Sequence, residues 1–166
     1  SAGITLLSQD VITTAVAAMD IDLPSGYSRF KLFLNGVVTV KNSVSLGMQV
    51  SLDGGSTFIS SAYKGAALSE WFGGTTSNRD AGESLSSLPI SPNGIYITAE
   101  INIQNSDDVF TISGQGILDQ NSAAYNQLTM SGIYLSATRT NAIRIFQASD
   151  NLTAGTFSLY GYKETP

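Results

Sequence analysis

Thirteen carboxylates, no histidine and no cysteine are what this chain of 166 residues offers for chemistry. Without His it lacks the commonest general base near neutral pH and the commonest zinc or copper ligand. Without Cys it has neither a thiolate nucleophile nor a disulfide. What remains are acid pairs: Asp20 with Asp22, Asp107 with Asp108, and Glu70 with Asp80 or Glu83. Two carboxylates suffice for glycoside hydrolysis. Acids at alternate positions of one strand, however, simply share a solvent face, and adjacent acids in a turn cap amides. Asn105, Asp107 and Asp108 offer hard oxygens to calcium, but their spacing lacks an EF-hand pattern. Asn151-Leu152-Thr153 fits a glycosylation sequon, yet the start SAGITLLSQD has no secretory features, so the triplet reads as a turn. The expectation is a protein that is not an enzyme, with no cofactor and no metal.

Aromatic side chains are the better candidates for contact. Tyr160 and Tyr162, near Phe157, share one face of a strand and could line a sugar-binding groove. Tyr is also ordinary interface material, and that use carries more weight. Trp71, Phe72 and Arg79 fall in a Gly/Ser/Thr-rich stretch, residues 65–94, where alternation breaks down. Structureless loops beyond about 12–15 residues usually bind or cap something, so this stretch is expected to be a long contact loop. Trp71 and Phe72 could equally tuck back over the open end of the fold.

The elements that position these residues are strands. Val44, Leu46, Met48, Val50 and Leu52 alternate with polar partners. So do Ile95, Ile97, Ala99, Ile101 and Ile103 with Tyr96, Thr98, Glu100 and Asn102. Met19, Ile21 and Leu23 make a short strand that Pro24-Ser25-Gly26 ends. Phe30, Leu32 and Leu34 face inward opposite Arg29, Lys31 and Phe33, before a turn or bulge at Asn35-Gly36. Phe110, Ile112 and Leu118 mark a return strand whose Gly114 and Gly116 predict a bulge or a close backbone approach. Further strands are expected at 128–136, 142–147 and 156–163. Residues 1–16 are an arm or an edge strand. About eight strands at turn-marked intervals predict a single all-β domain over 1–166, an antiparallel β-sandwich of the jelly-roll type.

The net charge of -5 and eight scattered Lys and Arg argue against nucleic acid. No apolar run reaches membrane-span length, so a soluble protein made in the cytoplasm is expected. Ser1 is what trimming of an initiator Met leaves, so the chain is expected to begin at its natural start. Both ends are expected to be held, by neighbouring subunits.

The stretch Val44 to Tyr63 reads as a β-hairpin turning at Asp53-Gly54-Gly55. Within it, Ser51, Asp53, Gly55, Thr57 and Phe58 fit the Asp-box pattern of sialidases and related propellers, with Phe in the aromatic place. There the carboxylate and hydroxyls bond turn amides. It is a folding device, and one copy in so short a chain does not make a propeller.

Three separated pieces resemble a family together: Tyr27 to Leu32, Val50 to Phe58 with Ser61-Ala62-Tyr63, and Asn141 to Phe146 with Ala154 to Lys163. Their order resembles a broad group of tailed-phage and prophage virion proteins, which pair a Ser-X-Asp-Gly-Gly-Ser-Thr hairpin with a closing Gly-Thr-X-X-Leu-Tyr-Gly strand. The resemblance implies a non-enzymatic virion building block, foremost a capsid decoration or cement protein. Its partners would be the major capsid protein and copies of itself, as a homotrimer on the capsid surface. A tail, baseplate or fibre component would use the same sandwich, and a carbohydrate-binding module for host-surface glycans is a further alternative.

Overall fold

Residues that alternate in polarity cannot bury both faces, so the chain stacks its strands into two layers around one core. The computed structural model describes residues 3–39, 45–71, 74–91, 96–119 and 125–163, and for 71, 74–84 and 125 the backbone alone. One antiparallel sheet runs, in spatial order, β1 (Ile4–Ile12), β12 (Leu152–Tyr162), β3 (Arg29–Thr39), β8 (Tyr96–Asn105), β9 (Val109–Asp119), β10 (Tyr125–Leu135), β5 (Tyr63–Trp71) and β6 (Gly74–Leu85). The other runs β2 (Ala18–Asp22), β11 (Ala142–Gln147), β4 (Leu46–Ser51) and β7 (Leu88–Pro89). Phe30, Leu32, Leu34, Ile101 and Phe157 of the large sheet share one continuous core with Met48, Val50, Ile143 and Ile145 of the small one. Each such side chain taken from water stabilises the fold by about 1.5–3 kcal/mol. The sandwich is all-β, as the alternation predicts.

Its topology is a jelly roll with two insertions. The pairs β1/β12, β2/β11, β3/β8 and β4/β7 form a nested antiparallel ribbon, and contacts of β12 with β3 and β11 with β4 roll it up. These eight strands follow the order of two Greek keys, but they are not the eight read from the sequence: β7 lies in the stretch expected to be a loop, β9 and β10 are insertions, and the described residues form twelve strands rather than about eight. Hairpin β5–β6 enters between β4 and β7, and hairpin β9–β10 between β8 and β11; together they widen one sheet from four strands to eight.

Several expectations need correction. Residues 65–94 are not a loop: most of β5, all of β6 and β7 lie there. No alternation marks these strands because β5 buries small or polar residues, Ala67 and Ser69, and because β6, GTTSNRDAGESL, is an almost wholly polar edge strand. The hairpin at Val44–Tyr63 is not formed either. After the turn the chain makes one ladder-like bond, from Ile59 N to Val50 O at 2.9 Å, and then crosses to the large sheet as β5, where it pairs with β10 and β6. Ala62 makes that crossing at φ 67°, a left-handed conformation that is strained for a residue with a Cβ.

Residues 3–16 resolve into edge strand β1, paired with β12 from Ile4 to Ile12, and a bridge at Val16. Asn35-Gly36 is a bulge, since the β3/β8 register shifts between Leu34 and Val37 and Gly36 has φ 61°. At Gly116 the register runs straight, and the reason for Gly is close approach: a Cβ would lie 2.2 Å from Thr98 O. The expectation that both ends are held falls on residues 1–2 and 164–166, outside the described residues.

Candidate functional site

The most densely bonded local structure is the turn after β4. Ser51 Oγ donates to Asp53 Oδ1 at 2.8 Å and accepts from Gly55 N at 2.9 Å. Thr57 donates twice to Asp53, from its amide to Oδ1 at 2.8 Å and from Oγ1 to Oδ2 at 2.7 Å. These bonds from Thr57 and Ser51 hold the Asp53 carboxyl at a pKa of about 2. Asn141, leading into β11, clamps the turn from outside: its Oδ1 accepts from Gly54 N at 2.8 Å and its Nδ2 donates to Leu52 O at 3.0 Å. Both carboxylate oxygens are thus engaged in holding the turn, which suits a lock rather than a proton donor. Beside it Arg144 binds Asp20 through two bonds of 2.7 and 2.8 Å, and its guanidinium lies 4.0 Å from the centre of the Phe58 ring. One member of the Asp20/Asp22 pair is therefore already neutralised.

The remaining acid combinations separate. Glu70 sits opposite Thr75 on the β5–β6 hairpin while Asp80 sits opposite Gly65. Five residues of strand, about 17 Å, divide them. Asn105 is buried, with Nδ2 donating to Thr140 O at 2.7 Å, whereas Asp107 and Asp108 are exposed. Among the described residues no three acidic side chains gather as metal ligands would.

Concavity with mixed chemistry lies on the outer face of the large sheet. Register places Gln9, Ser158, Phe33, Glu100, Gln115 and Thr129 side by side in one row across β1, β12, β3, β8, β9 and β10. At a strand spacing of about 4.8 Å this row is about 24 Å long. Above it opens a groove of about 760 Å³, lined from Gln9 at one end to Gln127 at the other. Bulges in two neighbouring strands, around Ala154 in β12 and at Asn35-Gly36 in β3, bend the sheet at one margin of the groove. Gly155, at φ 127°, lets these two bulges nest, since a Cβ would lie 2.7 Å from Val37 Cα.

The groove has an aromatic corner and a neutralised charge. Phe33 and Tyr160 meet edge to face with ring centres 5.6 Å apart. Lys31 forms an ion pair with Glu100, and its ammonium also lies 5.9 Å from the centre of the Phe33 ring. The hydrogen bond that Lys31 donates to Glu100 raises the Lys31 pKa, so the lysine keeps its charge beside the carboxylate. Gln9 Nε2 donates to Ser158 Oγ at 3.1 Å, tying β1 to β12 within the groove wall.

Of the residues singled out from sequence, Tyr160 is in this groove. Tyr162 is one pair further along β12, with the Arg29 guanidinium 5.2 Å from its ring centre, outside the lining. Phe157 faces the opposite way and is fully buried in the core. The side chains of Trp71 and Arg79, and all of Phe72, lie outside the described residues; the backbone puts Trp71 opposite Gly74 and Arg79 opposite Ala66. Phe33, Glu100 and Gln115 are site residues that no sequence motif singles out. A signal for Phe33 exists, an aromatic on the solvent face of β3 close to the charged Arg29 and Lys31.

A second surface feature is the β1 margin of the large sheet, beyond which no further strand pairs among the described residues. Ile4, Leu6 and Val11 of β1 are 51, 49 and 58 % exposed, opposite Tyr162, Tyr160 and Thr156 of β12. An apolar strip on such a margin is the arrangement that isolated sandwiches avoid. No protein-family model matches the chain, and no curated protein is significantly similar to it.

Proposed function

We propose that the chain is a non-enzymatic structural protein of a tailed-phage particle, a decoration or cement protein that binds the outside of the capsid and associates with copies of itself. The observation that carries the reading is the exposed apolar strip Ile4, Leu6 and Val11 along the β1 margin of the large sheet. The three-part motif resemblance points the same way. A standard contact of about 800 Å² per partner would cover about a tenth of the 8235 Å² surface, within what one edge and its flanking face supply. Function then comes from mass action: each copy that buries its edge against a neighbour or the capsid stabilises the bound lattice over the bare one.

The test is cosedimentation of the purified protein with heads that lack it, comparing wild type with the double variant Leu6→Glu, Val11→Glu. Deleting the N-terminal residues would be the wrong perturbation, because β1 completes the ladder of β12 and buries Ile12. The charged variant should remain folded and lose the heads. Unchanged occupancy with the edge charged would remove β1 from the contact.

A further inference from the structure

The groove on the outer face of the large sheet begins at Gln9 of β1, between the apolar Leu6 and Val11, and its chemistry specifies a ligand. We propose that it binds an uncharged carbohydrate chain, laid across the strands from β1 towards β10.

Three observations carry this. The first is shape: a groove of about 760 Å³ that crosses six strands is long and open, suited to a chain rather than to a small compact ligand. The second is the functional groups. Gln9, Gln115 and Gln127 each present both a donor and an acceptor, and Thr98 adds a hydroxyl, which matches the paired donor and acceptor character of sugar hydroxyls. Phe33 and Tyr160 supply the complementary element, apolar ring surface on which the C–H face of a sugar ring can rest. The third is charge. Among the described residues no lysine or arginine lines the groove, its carboxylate Glu100 is paired with Lys31, and the chain carries a net charge of -5. A phosphorylated or sulfated polymer, or a nucleic acid, would find no free cation to meet it, whereas an uncharged polyhydroxylated chain meets no repulsion.

The wall fits the same use. The amide of Gly36 donates to Thr98 Oγ1 at 3.0 Å, fixing one wall. The wall is therefore largely formed before a ligand arrives, which lowers the ordering cost of binding.

The test is an amide-resolved NMR titration of the full chain with cellohexaose, maltohexaose, xylohexaose and chitohexaose, with a heparin fragment as the anionic probe. Binding of at least one neutral oligosaccharide is expected, with shifts concentrated on β3, β8, β9 and β12. Tyr160→Ala and Phe33→Ala should each weaken it by about tenfold or more. Gln115 is exposed and makes no core contact, so Gln115→Ala serves as the variant whose folding is not in question, and it too should weaken binding. Failure of all four neutral probes at millimolar concentration, shifts that map elsewhere, or binding of the heparin fragment alone would overturn the proposal. Head binding is read by cosedimentation with the β1 variant and glycan binding by titration with the Phe33 and Gln115 variants on β3 and β9, so failure of one is distinguishable from failure of the other.

Discussion

Replacing Tyr63 by Phe tests how the fold crosses from one sheet to the other. Tyr63 is fully buried, and its hydroxyl accepts from Val50 N at 2.9 Å and donates to Ile59 O at 2.8 Å. The two-residue strand β7 pairs with β4 only at Gly47 and Met48, so the Val50 amide has no strand partner on that side, and the phenol serves instead. Tyr63→Phe keeps the ring and its packing but leaves a buried amide and a half-buried carbonyl without that partner. At about 1–3 kcal/mol for each unsatisfied group, less where water reaches the carbonyl, the loss should be about 2–4 kcal/mol. For a chain of this length that lowers Tm by about 5–15 °C. Urea unfolding should show a lower midpoint at unchanged slope. The same burial pushes the phenol pKa well above its ordinary value. The unfolded chain ionises near pH 10 while the folded one keeps its proton, so wild-type stability should fall above about pH 10, a component the Phe variant lacks. A loss below about 0.5 kcal/mol would refute the reasoning, because the crossing would then not depend on the hydroxyl.

Other perturbations probe the turn and the bulges. Asp53 titrates near 2 when folded against 3.8 ordinarily, so its contribution is present above about pH 4 and is lost as pH falls through about 2. Asp53→Asn should therefore be less stable than wild type at neutral pH, with the gap closing towards pH 2 in urea titrations; a gap independent of pH would contradict the assignment. Ala62→Gly relieves a left-handed Ala, and the change should be neutral to stabilising by up to about 1 kcal/mol, measured by thermal unfolding, against the loss usual for Gly in a strand. Gly155→Ala meets both a forbidden φ and the Val37 backbone, and it should lower stability by about 2 kcal/mol or more; a neutral result would mean that the β12 bulge can reorganise.

Legibility in the sequence tracks burial. Strands β3 and β8 bury mostly large aliphatic or aromatic side chains at alternate positions, and their period is plain in Phe30, Leu32, Leu34 and in Ile97, Ile101, Ile103. Strand β6 has no such apolar set, and β5 fills its inward positions partly with Ala and Ser, so neither produces a period. The turn at Ser51–Thr57 is readable because its bonds are local, within six residues. The crossing from that turn into β5 is not readable, because the partner of Val50 is a phenol 13 residues on and β5 joins a strand, β10, more than fifty residues away. The groove has the same character. Tyr160 stands out in the sequence as an outward aromatic near the C-terminus, but Phe33, Glu100 and Gln115 join it only through the registers of β12, β3, β8 and β9.

The most direct test of the central claim is an electron-microscopy reconstruction of phage heads, first without the protein and then after mixing with it. Added density at positions commensurate with the capsid lattice, with the β1 edge turned into a contact, is the predicted result. Heads that look the same before and after mixing, with the protein left in solution, would contradict it.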